Sequence, residues 1–220
     1  MSMPELHVVA GPNGAGKTTC FEDLVPEGID YINADLIAKT IREQAGGLNV
    51  QDIANREAAD RFWIKVADNQ SFAIETNLHD VETYKSFQAL QAKGNKIVIY
   101  FISVENVETC IERVKSRVKV GGHNVNPDVI RERYVRGLAL LKHYKNFPDT
   151  LVLLDNTNGD LVISAALYKG VVVKSNDRRN WVESVLADPP RKNRWKASRS
   201  KRFYDSTRAR KISDKLALSR

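Results

Sequence analysis

A glycine-rich loop near the start of the chain constrains the fold more than any other feature. Residues 11–18 match the P-loop pattern G-x-x-x-x-G-K-[ST] at every fixed position. A short apolar run, residues 6–10, precedes the loop and is predicted to be a buried strand, and residues 18–25 can open a helix. In this setting the glycines let backbone N–H groups converge on an anion, and the positive end of the helix dipole points at the same place. The pattern therefore predicts a nucleoside triphosphate site.

The residues of the loop receive distinct roles. Lys17 is expected to reach the β- and γ-phosphates, which makes it a catalytic residue as well, and the Thr18 hydroxyl is expected to ligate Mg²⁺. The predicted nucleotide-binding residues of the loop are Gly11, Pro12, Asn13, Gly14, Ala15, Gly16, Lys17, Thr18 and Thr19.

Strands and helices alternate along the rest of the chain. The run from Lys96 to Ile102 is the clearest buried strand. This alternation predicts an α/β fold of the P-loop NTPase type, with a five-stranded, mainly parallel sheet and helices on both faces. Residues 161–174 follow the fifth strand and are predicted to form a C-terminal β-hairpin. The ligand site is expected at the carboxyl ends of the parallel strands.

Charge divides the chain into two parts. Residues 188–220 hold 12 Lys or Arg and three Asp, a net charge of +9, so the remainder carries −2 of the overall +7. We therefore predict a kinase-sized domain over residues 1–187 and a basic, weakly structured tail over residues 188–220. No run reaches the roughly 18 apolar residues of a membrane helix. With no room for a signal peptide before the first strand, and with two distant cysteines, Cys20 and Cys110, a cytoplasmic protein with reduced thiols is expected.

Polar residues follow two of the predicted strands. Asn33 and Asp35 come after the second strand, and a carboxylate there can accept the proton of a substrate hydroxyl that attacks the γ-phosphate. Asp35 could instead bind Mg²⁺ through water, or merely cap the following helix. Glu75 and Thr76 end the third strand, where both could hydrogen-bond a polyhydroxylated acceptor. The predicted acceptor-binding residues are therefore Asn33, Asp35, Glu75 and Thr76. Glu75 could also be a strand-end charge that meets solvent.

Four arginines lie on two predicted helices joined by a Gly-Gly-His loop. Arg113 and Arg117 are spaced i,i+4 on the first helix, and Arg133 and Arg136 are spaced i,i+3 on the second. The segment from about residue 105 to 145 is predicted to be a lid whose arginines close over the phosphates and neutralise charge in phosphoryl transfer. Solvated helix faces with surface ion pairs remain the alternative.

Taken together, these motifs resemble the zeta-toxin family of P-loop kinases, in particular its short, stand-alone members. The resemblance covers about residues 5 to 187 and implies a sheet of nucleotide-kinase type with a helical lid, and ATP and Mg²⁺ as cofactors. It further implies that Asp35 is the catalytic base, that Glu75 and Thr76 bind the acceptor, and that basic lid residues grip the phosphates. The matching stretches are Gly11–Thr19, Ile32–Asp35, Ala73–Leu78, Gly121–Val125, Arg131–Arg136 and Asp155–Thr157.

The resemblance also indicates substrates and partners. The best-known activity of the family is phosphorylation of UDP-N-acetylglucosamine on its amino sugar, so the expected acceptor is a small molecule, with a nucleotide-sugar suspected. An antitoxin protein is a further candidate partner. A nucleic-acid-associated ATPase anchored by the basic tail, and a non-catalytic nucleotide sensor, remain alternatives. A GTPase is excluded because the chain has no Asn-Lys-x-Asp motif for guanine.

Overall fold

The apolar runs of the sequence form the strands of one sheet. In the computed structural model, which describes residues 3–45, 49–176 and 179–187, seven strands lie in the order β2-β3-β1-β4-β5-β6-β7. β1 to β5 are parallel to one another, and β6 and β7 are antiparallel. The strands are β1 (Glu5–Ala10), β2 (Asp30–Ile32), β3 (Phe72–Thr76), β4 (Lys96–Ser103), β5 (Thr150–Asp155), β6 (Val162–Tyr168) and β7 (Val171–Ser175).

Helices occupy the connections between the parallel strands. The start of the last long helix is well marked by sequence, because Asn126 accepts a hydrogen bond from the Asp128 backbone N–H and Pro127 takes the first helical position. The helices are α1 (Lys17–Leu24), α2 (Ala34–Ala45), α3 (Val50–Ala67), α4 (Val81–Ala92), α5 (Val107–Lys119), α6 (Pro127–Tyr144) and α7 (Asn180–Leu186).

The sheet has more strands than the sequence predicts. Five parallel strands are present as expected, and the predicted hairpin over residues 161–174 is confirmed as β6 and β7. The prediction of a five-stranded sheet is wrong, because β6 pairs antiparallel with β5 and thereby extends the same sheet. An apolar hairpin that directly follows an edge strand satisfies that strand's open backbone groups by pairing with it.

Apolar side chains cover both faces of the sheet, as the α/β prediction requires. Val8 on β1 packs in a core cluster with Tyr84 of α4 and Leu141 of α6. The next residue, Val9, points to the opposite face and packs with Cys20 and Leu24 of α1. Both cysteines are free and buried. Among the described residues, no helix combines the length and the apolarity that a membrane crossing requires. The predicted basic tail, residues 188–220, lies outside the described residues.

A buried histidine lies on β1 and gives stability a pH dependence. His7 is 3% exposed, stacks on Tyr100 with ring centroids 6.2 Å apart, and has its Nε2 atom 3.5 Å from Glu5 Oε2. Burial lowers the pKa of His7, and the opposing attraction of Glu5 is the smaller effect. The folded protein therefore holds His7 neutral in a pH range where the unfolded chain protonates it.

We predict that His7 weakens the protein in acid. Below the unfolded pKa of about 6.5 the unfolded state binds more protons, so the free energy of unfolding falls as pH drops, by at most about 1.4 kcal/mol per pH unit. The loss continues until the pH reaches the lowered folded pKa. Urea denaturation between pH 7.5 and 5 should show this slope in the wild type and a shallower slope in His7→Phe. The exposed His143→Phe variant serves as the control, and equal slopes in the wild type and His7→Phe would contradict the prediction.

Candidate nucleotide and acceptor site

The glycine-rich loop has the predicted strand–loop–helix setting at the centre of the sheet. It follows β1, which lies between β3 and β4, and it ends where α1 begins at Lys17. Two glycines are required by close approach as well as by positive φ. A Cβ atom at Gly11 (φ 140°) would lie 2.0 Å from the Ile102 carbonyl oxygen, and one at Gly14 (φ 82°) would lie 2.3 Å from the Cys110 carbonyl oxygen. The loop thus packs closely against β4 and α5, and there is no room for a side chain at Gly11 or Gly14.

Lys17 holds a positive charge inside this loop. It is 7% exposed, and its Nζ atom donates to the carbonyl oxygens of Gly11 (2.9 Å) and Pro12 (3.1 Å) and to Asn77 Oδ1 (3.2 Å). Burial lowers the pKa of Lys17, against the attraction of Glu75 and Asp35. Asn77, which directly follows β3 and its end residue Thr76, is a contact that the sequence patterns do not identify.

Glu75 is the centre of a hydrogen-bonded cluster next to the loop. Its Oε2 atom accepts hydrogen bonds from Tyr31 OH (2.6 Å), Asn33 Nδ2 (2.7 Å) and Thr18 Oγ1 (2.9 Å). Its Oε1 atom lies 3.8 Å from Lys17 Nζ. The alternative that Glu75 simply meets solvent at the strand end is wrong, since its side chain is 11% exposed.

Tyr31 is a member of this cluster that sequence reasoning missed. Burial, followed by the negative charge of Glu75, raises its pKa, so its hydroxyl remains a hydrogen-bond donor. Its ring stacks on Phe21 of α1 with centroids 4.0 Å apart. The signal in the sequence is its position in β2, two residues before Asn33 and therefore on the same side of the chain.

Asp35 lies at the start of α2 and is exposed. The helix is capped by Asn33, whose Oδ1 accepts the backbone N–H groups of Asp35 (2.8 Å) and Leu36 (3.3 Å). The alternative that Asp35 is itself the cap is therefore wrong. Its Oδ1 atom lies 3.5 Å from Gln51 Nε2, at the outer limit of a hydrogen bond. Asp35 is thus a carboxylate open to solvent beside the loop and its lysine.

Asn33 and Thr76, both predicted to bind the acceptor, have local partners. Asn33 uses its amide nitrogen on Glu75 and its amide oxygen on the α2 backbone. The Thr76 hydroxyl oxygen accepts the Leu78 N–H at 3.1 Å, in a turn where Leu78 has φ 50°. Both residues lie beside Glu75 at the ends of β2 and β3.

One of the four predicted lid arginines contacts the P-loop directly. Arg133 on α6 donates from Nη1 to Asn13 Oδ1 at 2.9 Å. Arg136 is exposed and lies 3.7 Å from Glu132, so in this conformation it pairs on the surface. Arg131 pairs with Glu108 and connects α6 to α5 away from the loop.

The two arginines of α5 are held by backbone carbonyl groups. Arg113 donates from Nη2 to the carbonyl oxygens of Asn156 (2.8 Å) and Thr157 (3.1 Å). Arg117 donates from Nη2 to the His123 carbonyl oxygen at 2.9 Å, which holds the Gly-Gly-His loop against the end of α5. Buried nitrogen atoms of both, Arg113 Nη1 and Arg117 Nε, have no hydrogen-bond acceptor among the residues that the structure describes.

The end of β5 contacts the P-loop through residues of the Asp155–Thr157 stretch, a contact that the resemblance did not assign to them. Asn156 donates from Nδ2 to the Ala15 carbonyl oxygen at 2.8 Å and packs against Gly16. The preceding residue, Asp155, accepts a hydrogen bond from Trp181 Nε1 of α7 at 2.9 Å. The short last helix is in this way connected to the loop through two consecutive residues.

These residues fit a nucleotide with Mg²⁺. Because Gly11 and Gly14 carry no side chains, an anion can approach the backbone of the loop, and Lys17 brings a positive charge to the same place. The Thr18 hydroxyl and the Glu75 carboxylate lie 2.9 Å apart and are oxygen ligands of the kind that Mg²⁺ prefers.

Comparison with known proteins gives one family. A model of the Zeta toxin family matches residues 2–183 of the chain. An uncharacterized protein of Haemophilus influenzae is 31% identical over 127 residues, which is 56% of this chain and 88% of that protein.

Solved structures share the fold at low identity. The PezAT chromosomal toxin-antitoxin system of Streptococcus pneumoniae matches with a TM-score of 0.56 and 16% identity over 100% of this chain and 89% of that chain. The complex of AvrRxo1-ORF1 and ORF2 with ATP matches with a TM-score of 0.62 and 15% identity, over 98% of this chain and 76% of that chain. In the same complex with sulphate ions, the match spans 64% of that chain.

Proposed function

We propose that this chain, which belongs to the zeta toxin family and is a P-loop phosphotransferase, transfers the γ-phosphate of ATP to a hydroxyl group of a small-molecule acceptor. The observation that carries the proposal is the position of Asp35. It is an exposed carboxylate at the start of α2, near enough to Lys17 that its charge, after that of Glu75, opposes the lowering of that lysine's pKa by burial. A base and a phosphate-binding lysine that share one cleft are the minimum that phosphoryl transfer to a hydroxyl requires.

The P-loop residues bind the nucleotide. Gly11 to Thr19 surround the phosphates with backbone N–H groups, and Lys17 exchanges its present carbonyl partners for phosphate oxygens. Thr18 and Glu75 are the oxygen ligands available to Mg²⁺, which, when bound, neutralises charge on the phosphates.

Asp35 accepts the proton of the attacking hydroxyl. Asn33 holds it in place, because it caps α2 through two backbone N–H groups, the first of which is that of Asp35. The weak contact to Gln51 leaves the carboxylate free to hydrogen-bond an acceptor. Asn33, Glu75 and Thr76 form the rim on which the acceptor rests.

The α5–α6 segment acts as a lid. Arg133 already contacts Asn13 in the loop, which places a cation at the phosphate site. Arg113, Arg117 and Arg136 complete the set that neutralises charge as the γ-phosphate moves. The buried Arg113 and Arg117 nitrogens that lack an acceptor within the described part of the chain support this role, since a phosphate oxygen would satisfy them.

The acceptor that we favour is a nucleotide-sugar such as UDP-N-acetylglucosamine, and a protein partner of the antitoxin kind is expected. The acceptor follows from the resemblance to zeta toxins. The partner is supported by the structural likeness to PezAT, a toxin-antitoxin system, and to the AvrRxo1-ORF1 and ORF2 complex.

The test is a ³¹P NMR assay of the full-length protein with ATP and Mg²⁺. UDP-N-acetylglucosamine is compared with other UDP-sugars, nucleosides and NAD, and each reaction is repeated without the acceptor. A new phosphomonoester signal with one acceptor, accompanied by ADP, is the expected result. Release of inorganic phosphate alone, at the same rate with and without every acceptor, would contradict the proposal and indicate an ATPase.

A further inference from the structure

We infer that His79 is an acceptor-binding residue, and that it donates a hydrogen bond to a phosphate group of the acceptor beside two arginines of the lid. The inference rests on the proposed function, because it requires an acceptor that lies next to the nucleotide. It narrows the acceptor to a phosphorylated, anionic small molecule. It also gives a task to a residue that the P-loop, Asp35 and the ends of β2 and β3 leave unused.

His79 is held in a short loop between two fixed residues. The loop connects β3 to α4 and directly follows the strand-end residues that are proposed to bind the acceptor. Leu78 is fully buried, and its backbone N–H donates to Thr76 Oγ1 at 3.1 Å. Asp80 caps α4, where its carboxylate accepts the Thr83 backbone N–H at 2.7 Å. The backbone of His79 is therefore fixed at the carboxyl end of β3, the edge of the sheet at which ligands bind.

The lid helix α6 packs against this loop. A Cβ atom at the buried residue Gly137 would lie 3.8 Å from the Asn77 carbonyl oxygen, so the helix and the loop are in van der Waals contact. Arg136 directly precedes Gly137, and Arg133 lies about one turn earlier. The charges of both arginines act on His79. His79 thus lies where the loop after β3 meets the lid.

The His79 side chain has a hydrogen-bonding atom to spare in this place. The residue is half-buried, and its Nδ1 atom is buried without a partner among the residues that the structure describes. A buried polar atom left in this state is costly, and a ligand that bonds it removes the cost. Because the nearby arginines attract an anion and repel a cation, the group that fits is a phosphate oxygen that accepts from the ring.

The charges around the ring favour the same ligand. Burial, followed by the charge of Arg133, lowers the pKa of His79, and Arg136 acts in the same direction. The acids that oppose this lowering have other partners, since Asp80 caps α4 and Glu132 lies 3.7 Å from Arg136. The unliganded protein therefore holds His79 neutral. A phosphate bound next to the ring favours its protonated form, so binding should take up a proton.

The contacts of neighbouring residues assign this phosphate to the acceptor and not to ATP. From the loop after β3, Asn77 reaches the P-loop by accepting a hydrogen bond from Lys17. From α6, Arg133 reaches it by donating to Asn13. Within the described part of the chain, His79 makes no such hydrogen bond to the P-loop. Its position after Thr76 instead continues the row of residues that is proposed to bind the acceptor.

The first test follows the His79 ring in the wild-type protein. Full-length protein labelled with ¹⁵N-histidine is saturated with AMP-PNP and Mg²⁺, so that the P-loop is filled, and inorganic diphosphate is then titrated as the probe. The His79 ring signals should shift, and its pKa measured by NMR should rise by about one pH unit or more. The exposed His143 should change in neither respect. A response of His79 to AMP-PNP alone, with none to diphosphate, would assign it to the nucleotide and overturn the inference.

Two variants separate the hydrogen bond from the charge. In isothermal titration calorimetry, His79→Leu should weaken diphosphate binding to the AMP-PNP complex by about 10-fold, because a hydrogen bond to a charged group is lost. His79→Asn keeps a hydrogen-bonding side chain but cannot gain a proton. It should bind with intermediate affinity and lose the tightening that the wild type shows from pH 8 to pH 6. The exposed His143→Leu variant is the control and should match the wild type.

The outcomes distinguish this inference from the proposed function. Wild-type affinity for diphosphate in His79→Leu, or His79 ring signals that diphosphate does not move, would overturn the inference and leave the proposed kinase function intact. Failure of the wild type to bind AMP-PNP at all would instead overturn the proposed function, and the inference with it.

Discussion

Replacing Asp35 by Asn should lower the rate of phosphoryl transfer by about 10²- to 10⁴-fold, the range expected when a general base is removed. The amide has nearly the same shape as the carboxylate and can remain beside Gln51, but it cannot take the proton of the attacking hydroxyl. Since the hydrogen bonds of Asp35 outside its own helix go, among the described residues, to Asn33 and Gln51 and none to the P-loop, the affinity for AMP-PNP should change by only a few-fold. Transfer to the acceptor identified by ³¹P NMR gives the rate, and isothermal titration calorimetry gives the affinity.

The matched control for this variant is Asp60→Asn. Asp60 is an exposed acid within α3, so the substitution makes the same change in charge on a different helix. It should leave both the transfer rate and the nucleotide affinity within two- to threefold of wild type, as surface substitutions usually do. Transfer by Asp35→Asn at the rate of Asp60→Asn would show that Asp35 is not the base.

Replacing Gly11 by Ala should destabilise the protein by about 3 kcal/mol or more. The new Cβ would lie 2.0 Å from the Ile102 carbonyl oxygen, which belongs to β4 at the centre of the sheet and cannot move aside as a flexible side chain could. Backbone strain at φ 140° adds to this overlap. Urea denaturation should give a lower free energy of unfolding. Any protein that remains folded should bind AMP-PNP more weakly, because the loop must shift.

The Gly28→Ala variant separates the two causes of the lost stability, atomic overlap and backbone strain. Gly28 also has a positive φ, 79°, but apart from its chain neighbours no atom of the described residues lies within 4 Å of the position that its Cβ would take. Backbone strain alone predicts a loss of about 1–2 kcal/mol there and no effect on nucleotide binding. Equal losses of stability in the two variants would mean that the contact with Ile102 does not determine the cost at Gly11.

The sequence determined those features that depend on short stretches of chain. The P-loop is eight consecutive residues, and its glycines, lysine and threonine follow from one pattern. The apolar runs predicted the five parallel strands and the hairpin, because strands buried on both faces of a sheet are nearly continuous apolar runs in the sequence. The position of Glu75 at the end of β3 and of Asp35 shortly after β2 also followed, since the carboxyl ends of parallel strands meet at one edge.

Only the tertiary structure shows which of these polar groups contact one another. Glu75 reaches Asn33 across 42 residues of chain and Thr18 across 57, while Arg133 reaches Asn13 across 120. Nothing in the spacing of the sequence separates Arg133, which contacts the loop, from Arg136, which pairs with Glu132 at the surface. The extension of the sheet to seven strands likewise depended on where the hairpin could pair. Local sequence patterns report the burial and conformation of a segment. Contacts between residues far apart in sequence depend on how the segments pack, so they can be read only from the folded structure.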